Sequence, residues 1–78
     1  MTRTGFVRAM EEMFGIPPRS LSESDTRDTL EQWSSLMDVQ LVSMIRGEFG
    51  IEPDSELIEA ETVGDLLHIL QSRGAFGS

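Results

Sequence analysis

The sequence contains no cysteine, lysine or tyrosine, and it contains a single histidine, His68. Without cysteine the chain forms no disulfide, no thiolate metal site and no thiol nucleophile. Without lysine it has no Schiff-base amine and no P-loop lysine. One histidine cannot build a histidine-based metal site alone. Most self-sufficient enzyme chemistries are therefore excluded, and we predict neither an enzyme nor a metal site.

The charge is strongly of one sign. The chain has 78 residues, and fourteen acidic residues against six basic ones leave a formal net charge of −8. This charge disfavours nucleic acid and anionic membranes as partners, and it favours proteins with basic docking surfaces. No stretch has the length and apolarity of a membrane span or a signal peptide. We therefore expect a single domain over residues 1–78, without membrane insertion, that is monomeric and cytoplasmic.

Apolar residues recur with helical spacing at both ends of the chain. We predict a first helix over residues 5–14, with a left-handed stop at Gly15. A last helix is predicted from the capping residue Thr62 to Ser72. The apolar stripes of these helices are Phe6, Met10 and Met13 in the first, and Val63, Leu66, Leu67 and Leu70 in the last.

The middle of the chain combines a long connection with one long and one short helix. Residues 16–34 are rich in serine, threonine, aspartate and proline, and we expect Leu21, Leu30 and Trp33 to anchor them. A second helix is predicted over residues 35–48, and a short third helix from Pro53 to Ile58. These elements predict an all-α fold, a small helical bundle.

The second helix has two apolar faces. Val39, Val42, Ile45 and Phe49 share one face of the helical wheel, which we assign to the core. The opposite face carries no charge, although we expect it to meet water, and it contains Leu36, Met37, Gln40, Met44 and Gly47. An exposed, uncharged face with methionines is typical of a docking surface, and the alternative is a sparsely polar surface without a role.

Two serines stand where the second helix begins. Ser34 fits the N-cap position, and Asp38 in the first turn suits the positive end of the helix. A serine pair at this position is most often only a cap. A helix N-terminus also favours a phosphate ester on one of the hydroxyls, because its backbone N–H groups are free to bind an anion.

The segment WSSLMDVQLVSMIRGEFGI, residues 33–51, resembles the centre of an acyl carrier protein. That family has an Asp-Ser-Leu motif at the start of its second helix and a Glu-Phe-Gly-Ile-like stop at its end. The resemblance extends over nearly the whole chain, in order and with matching spacing. Its other parts are Phe14-Gly15-Ile16, Pro53-Asp54 and Thr62-Val63-Gly64-Asp65.

The resemblance implies a four-helix acyl-carrier-like bundle with 4'-phosphopantetheine, derived from coenzyme A, on the motif serine. Alignment of Leu36 with the motif leucine makes Ser35 that serine. The arm ends in a thiol that holds an acyl or polyketide intermediate as a thioester. The implied partners are a phosphopantetheinyl transferase and the enzymes that load, extend or receive the acyl group, as in fatty acid or polyketide biosynthesis.

The chain departs from the family motif at one important position. Ser34 stands in place of the motif aspartate, so the cap is kept and the charge is lost. Positions of the second helix that are often acidic in fatty-acid carriers hold Met37, Gln40, Arg46 and Gly47. We therefore predict a carrier for a specialised pathway that docks through Ser34 and the uncharged face. The alternatives are an arm-free interaction module and an aminoacyl or peptidyl carrier.

Three further expectations concern individual side chains. A short third helix over an apolar core is suited to move aside and shelter an acyl chain, and candidate lining residues are Leu57, Ile58, Val63 and Leu67. Their alternative role is ordinary core packing. Glu11 and Glu12 are expected on an exposed helix face, and His68 is expected to be a partly packed or surface residue rather than an acid or base.

Overall fold

Four helices make up the part of the fold that the structure describes. The computed structural model describes residues 1–31 and 33–77, and its helices are α1 (Arg3–Phe14), α2 (Ser35–Phe49), α3 (Ser55–Ile58) and α4 (Val63–Ser72). Within these ranges there is no strand, and one isolated antiparallel bridge joins residues 26 and 62. None of the described helices has the length and apolarity needed to cross a membrane. The predicted all-α bundle is confirmed, with α1 beginning earlier than expected.

The helix ends follow the local capping signals. The Thr62 hydroxyl accepts a hydrogen bond from the backbone N–H of Asp65 at 3.0 Å, as its N-cap position predicts. Gly15 ends α1 with φ +72°, in the left-handed region that glycine enters without strain. The N–H of Ile16 then donates to the Glu11 carbonyl at 3.0 Å, which completes a Schellman motif.

The core lies between α1, α2 and α4. The Phe6 ring packs 5.7 Å from that of Phe49, and the Phe14 ring packs 5.9 Å from that of Trp33. Phe6 near the start of α1 meets Phe49 at the end of α2, and Phe14 at the end of α1 meets Trp33 just before α2, so the two helices run antiparallel. The side chains that are almost completely inaccessible to solvent are Phe6, Met10, Ile45, Val63, Leu67 and Leu70.

The connection between α1 and α2 is bonded through its backbone to the start of α4. The N–H of Val63 donates to the Asp25 carbonyl at 3.0 Å, and that of Gly64 donates to the Glu23 carbonyl at 2.8 Å. A Cβ atom on residue 64 would lie 3.1 Å from that Glu23 oxygen, so glycine permits this close approach. The long connection is therefore a packed part of the fold.

Glu11 also secures this connection. Its side chain is buried, with 3% of its surface exposed, so the prediction of an exposed face is wrong for Glu11 and right for Glu12. The Glu11 carboxylate accepts a hydrogen bond from the backbone N–H of Leu21 at 3.1 Å. The predicted apolar anchors are confirmed, since Leu30 and Trp33 are buried and Leu21 packs against the core.

The face of α2 that meets the core differs from the predicted one. Ile45 is buried as expected, but Leu41 is buried too, whereas Val39 is 66% exposed. Met37 and Met44, which we expected on the solvent face, are half-buried and pack against the core. The apolar side chains of α2 lie on more than one of its faces. The helical-wheel pattern alone therefore did not identify which face contacts α1 and α4.

Candidate functional site

The serine pair lies at the exposed N-terminus of α2. Ser34 is the N-cap, with extended backbone, and its hydroxyl accepts a hydrogen bond from the N–H of Met37 at 3.5 Å. Its carbonyl accepts the first helical hydrogen bond, from the N–H of Asp38 at 3.0 Å. Ser35 is the first helical residue, and both serines are exposed. The predicted cap is therefore confirmed.

The hydroxyl of Ser35 is not used by the fold. Within residues 1–31 and 33–77, no side-chain hydrogen bond involves its oxygen, whereas that of Ser34 is engaged in the cap. The oxygen sits on the first turn of a fifteen-residue helix, where the free N–H groups and the helix dipole stabilise an anion. The position suits an exposed, phosphate-linked modification.

Trp33 fixes the backbone immediately before the serines. Its indole is 5% exposed and packs against Phe14. The indole Nε1–H donates to the Asp38 carboxylate at 2.8 Å, and Asp38 belongs to the first turn of α2. The chain therefore enters the helix from a buried aromatic anchor, which holds the two exposed serines in a defined position.

A cluster at the start of α2 consists of Arg27, Trp33 and Asp38. The Arg27 guanidinium lies 4.7 Å from the centre of the Trp33 ring, and its Nη1 donates to both carboxylate oxygens of Asp38. Its Nη2 donates to the carbonyl oxygen of Ile58, at the end of α3, at 3.4 Å. Arg27 thus joins the long connection, α2 and α3. Sequence patterns did not indicate this role, because the partners are distant in the chain.

A small cavity lies behind this cluster, between α2 and α3. Its volume is about 30 Å³, which leaves room for water but not for an acyl chain. Of the four candidate lining residues, Leu57 and Ile58 lie in its wall, whereas Val63 and Leu67 are core residues outside it. The other lining residues are Arg27, Trp33, Asp38, Leu41, Val42, Ile45, Ala60 and Leu66.

The third helix, which covers this cavity, has only four residues and is held mainly at its start. The Asp54 carboxylate accepts from the N–H of Leu57 at 3.1 Å and from the Arg73 guanidinium at 2.8 Å. The Leu57 N–H first, and then Arg73, lower the pKa of Asp54 below its ordinary value of 3.8. Leu57 is the one buried residue of α3.

The predicted docking residues divide into exposed and half-buried groups. Leu36 is 62% exposed and Gln40 is exposed, while Met37 and Met44 are half-buried. Two exposed apolar residues were missed by the sequence analysis: Val39, at 66%, and Ile58, at 56%. The i, i+3 spacing of Leu36 and Val39 places both residues on one helix face, and this pattern could have indicated that Val39 is exposed. An open groove of about 460 Å³ runs beside Val39 and Ile58.

The remaining candidate groups form no site. His68 is exposed on α4, as predicted. In the part of the chain that the structure describes, no cluster of three or more histidine, cysteine, aspartate or glutamate side chains is placed to hold a metal ion.

Comparison with known proteins identifies a protein family. Residues 6–70 match the model of a family described as a phosphopantetheine attachment site. The match begins within α1 and ends within α4, so it includes the serine pair, the Arg27 cluster and α3. The searches of curated proteins and of solved structures found no match.

Proposed function

Because the chain belongs to the family of phosphopantetheine attachment domains, we propose that it is a carrier protein with its arm on Ser35. A domain of this family is the site of covalent 4'-phosphopantetheine attachment. When bound, this group supplies a mobile arm with a terminal thiol, on which an acyl or polyketide intermediate is carried as a thioester. The protein contributes the attachment point, the cargo shelter and the docking surface, and partner enzymes carry out the reactions.

The assignment of the arm to Ser35 rests on the difference between the hydroxyl groups of Ser34 and Ser35. Ser34 uses its oxygen to cap α2, while the exposed oxygen of Ser35 has no partner within residues 1–31 and 33–77. In the attachment reaction the Ser35 oxygen forms a bond to phosphorus, and its proton passes to the transferase. The phosphoanhydride bond of coenzyme A breaks, and the adenosine bisphosphate portion leaves. The helix N-terminus stabilises the resulting phosphodiester.

The cavity between α2 and α3 supports the proposal that the carrier shelters its cargo. Its floor consists of buried apolar side chains, and its cover is the four-residue helix α3. At about 30 Å³ the cavity is closed to an acyl chain, so loading requires α3 to move outward. A short helix with one buried side chain, Leu57, opposes this movement with few contacts.

The surface around Ser35 supports transient docking to partner enzymes. The exposed residues Leu36, Gln40 and Val39 lie on the first turns of α2. The net charge of −8 favours encounters with basic surfaces, such as those of a transferase or a synthase. Ser34, Met37 and Met44 border this surface. Its uncharged character supports a specialised biosynthetic pathway, and we propose that the carrier acts there as a cytoplasmic monomer.

Intact-protein mass spectrometry tests the attachment site. The protein is incubated with coenzyme A and a broad-specificity phosphopantetheinyl transferase, alongside the variants Ser35→Ala and Ser34→Ala. We expect a single phosphopantetheine adduct on the wild type and on Ser34→Ala, and none on Ser35→Ala. Circular dichroism of both variants checks that the helices are retained.

Two other outcomes contradict the proposal in different ways. If Ser34→Ala loses the adduct and Ser35→Ala keeps it, the arm is attached to the other serine. If the wild type takes no adduct from several transferases, the chain is an arm-free interaction module, and the exposed apolar residues Leu36, Val39 and Ile58 define its docking surface. An aminoacyl or peptidyl carrier would differ in cargo, which loading assays with amino acids would reveal.

A further inference from the structure

An open groove lies between α1 and the start of the connection that follows it. Its volume is about 480 Å³, far larger than that of the cavity between α2 and α3. In the described part of the chain, its lining residues are Arg8, Glu11, Glu12, Ile16, Pro18 and Arg19. These residues belong to α1 and to the connection, so the groove is separate from the serine pair and from the cavity.

Two of the residues that line the groove are arginines without a carboxylate partner. Across residues 1–31 and 33–77, carboxylates of this chain pair with the other four arginines, which are Arg3, Arg27, Arg46 and Arg73. Arg8 and Arg19 are exposed and form no such pair in these ranges, although the chain has fourteen acidic residues. One groove therefore presents two guanidinium groups that can bind an external carboxylate.

Arg19 has a backbone conformation that favours glycine. The N–H of Ser20 donates to the Pro17 carbonyl at 3.3 Å, which closes a turn with Pro18 and Arg19 at its centre. Arg19 has φ +66°, and glycine or asparagine is favoured at a turn position with positive φ. Because its exposed side chain forms no ion pair within the described residues, this fold does not explain an arginine at that position.

Hydrogen bonds fix the two sides of the groove relative to each other. The N–H of Ile16 donates to the Glu11 carbonyl at 3.0 Å, and the Glu11 carboxylate accepts from the N–H of Leu21 at 3.1 Å. Since the Glu11 side chain is buried, Glu12 is the one exposed carboxylate among the described lining residues. A groove that is already formed loses little conformational freedom when it binds a ligand.

We propose that this groove is a second docking surface, which binds a short acidic segment of a partner protein. Arg8 and Arg19 pair with carboxylates of the segment, and Ile16 and Pro18 contact its apolar side chains. The net charge of −8 disfavours nucleic acid, an anionic membrane and a large acidic surface, so a short segment is the acidic partner that fits. A carrier held here keeps Ser35 accessible to a second enzyme.

Titration of ¹⁵N-labelled protein with a short acidic peptide tests the proposal. The probe is a peptide of alternating glutamate and leucine, blocked at both ends. We expect the amide resonances of Gly15, Ile16 and Arg19 to shift, and those of Ser35 and Leu36 to stay in place. A control peptide with glutamine in place of glutamate should bind about tenfold more weakly or less tightly still, because it offers no ion pair.

Charge variants identify the groups that bind. Arg8→Gln and Arg19→Gln should each raise the dissociation constant by about threefold, and the double variant by about tenfold, since each removes one exposed ion pair. Glu12→Gln should lower it, because a repulsive carboxylate is removed. The matched control is Arg46→Gln, which removes the same charge from α2, outside the groove, and should leave the dissociation constant nearly unchanged.

Arg19→Gly separates binding from stability. Glycine keeps the turn and adopts the positive φ without strain, so the urea midpoint of unfolding should not fall. Binding of the acidic peptide should weaken as much as in Arg19→Gln. A lower urea midpoint would assign Arg19 a structural role and contradict its role in docking.

Other outcomes overturn the proposal in distinct ways. Absence of binding, equal binding of the glutamine peptide, or shifts confined to α2 would show that the groove does not bind acidic segments. If Arg46→Gln weakens binding as much as Arg8→Gln, net charge alone explains the affinity. If inorganic phosphate causes the same shifts and displaces the peptide, the groove is a phosphate site. These measurements do not involve the arm, so the carrier function is tested separately.

Discussion

Two connections of this molecule are held in opposite ways. Residues 16–34 contain no helix in their described part, yet they are bonded to α1 through Glu11 and to α4 through the Asp25 and Glu23 carbonyls. Residues 51–61 include α3, but their backbone hydrogen bonds are local ones within the segment. Their ties to the rest of the fold include the buried side chains of Leu57 and Ala60, the half-buried Ile51, the hydrogen bond from Arg27 to the Ile58 carbonyl, and exposed ion pairs.

The difference shows that regular structure and firm attachment are separate properties. A hydrogen bond within a helix does not hold that helix against the core, whereas bonds from a loop to two other elements fix the loop. The long connection positions Trp33 and Arg27 next to Ser35, the proposed attachment serine. The weakly tied helix covers the cavity, where the proposed sheltering of cargo needs movement.

Replacement of a buried leucine by alanine should have the largest effect on stability, and the effect should differ between residues 16–34 and residues 51–61. Leu30→Ala should lower the free energy of global unfolding by about 3 kcal/mol, because the anchored connection cannot close the space left behind. Leu57→Ala should lower it by less, about 2 kcal/mol, since α3 can shift to fill the space. Urea unfolding measures both values.

Hydrogen exchange provides the control for this prediction. In Leu57→Ala, the amides of Ile58 and Glu59 should exchange much faster than in the wild type, while amides of α1 and α4 remain protected. An equal loss of stability in both variants, with the α3 amides still protected, would show that the two connections are attached equally well.

Removal of the buried carboxylate should have the next largest effect. Glu11→Ala leaves the Leu21 N–H without its acceptor, and we expect a loss of about 1 to 3 kcal/mol in the free energy of unfolding. Glu11→Gln keeps an acceptor oxygen and should lose less. The matched control is Glu12→Ala, an exposed neighbour that should change stability by less than about 0.5 kcal/mol. Similar losses for both alanine variants would contradict the role of Glu11.

The smallest effect is expected at Asp54 and depends on pH. The folded-state pKa of Asp54 is lowered, so its ionised form stabilises the folded protein at pH values above its ordinary pKa of 3.8. This contribution is lost as the pH falls through the lowered pKa. Asp54→Asn keeps a capping oxygen but loses the charge that faces Arg73.

We therefore expect Asp54→Asn to be slightly less stable than the wild type at pH 7. Urea unfolding at several pH values should show the difference shrinking below pH 3.8 and disappearing at the lowest pH. A difference that is independent of pH would show that the charge of Asp54 does not stabilise the folded protein.

The helix caps and the glycine stops were predicted correctly from the sequence. Hydroxyl caps such as Ser34 and Thr62, and the glycine stops Gly15 and Gly50, act within one helical turn, so their neighbours in the sequence are sufficient to identify them. The position of Ser35 at the first turn of α2 follows from the same rules. Its role as the attachment site remains a proposal that rests on the motif and on its unused hydroxyl.

The sequence by itself determined the four helices, the caps Ser34 and Thr62, the acidic charge and the likeness to a carrier. Only the tertiary structure decided that Val39 is exposed and Leu41 buried, because α2 is apolar on both faces and its contacts with other helices select the stripe. It also decided that Glu11 is buried and that Arg27 joins three elements. These contacts form between residues at least ten positions apart, and no local pattern specifies which distant groups meet.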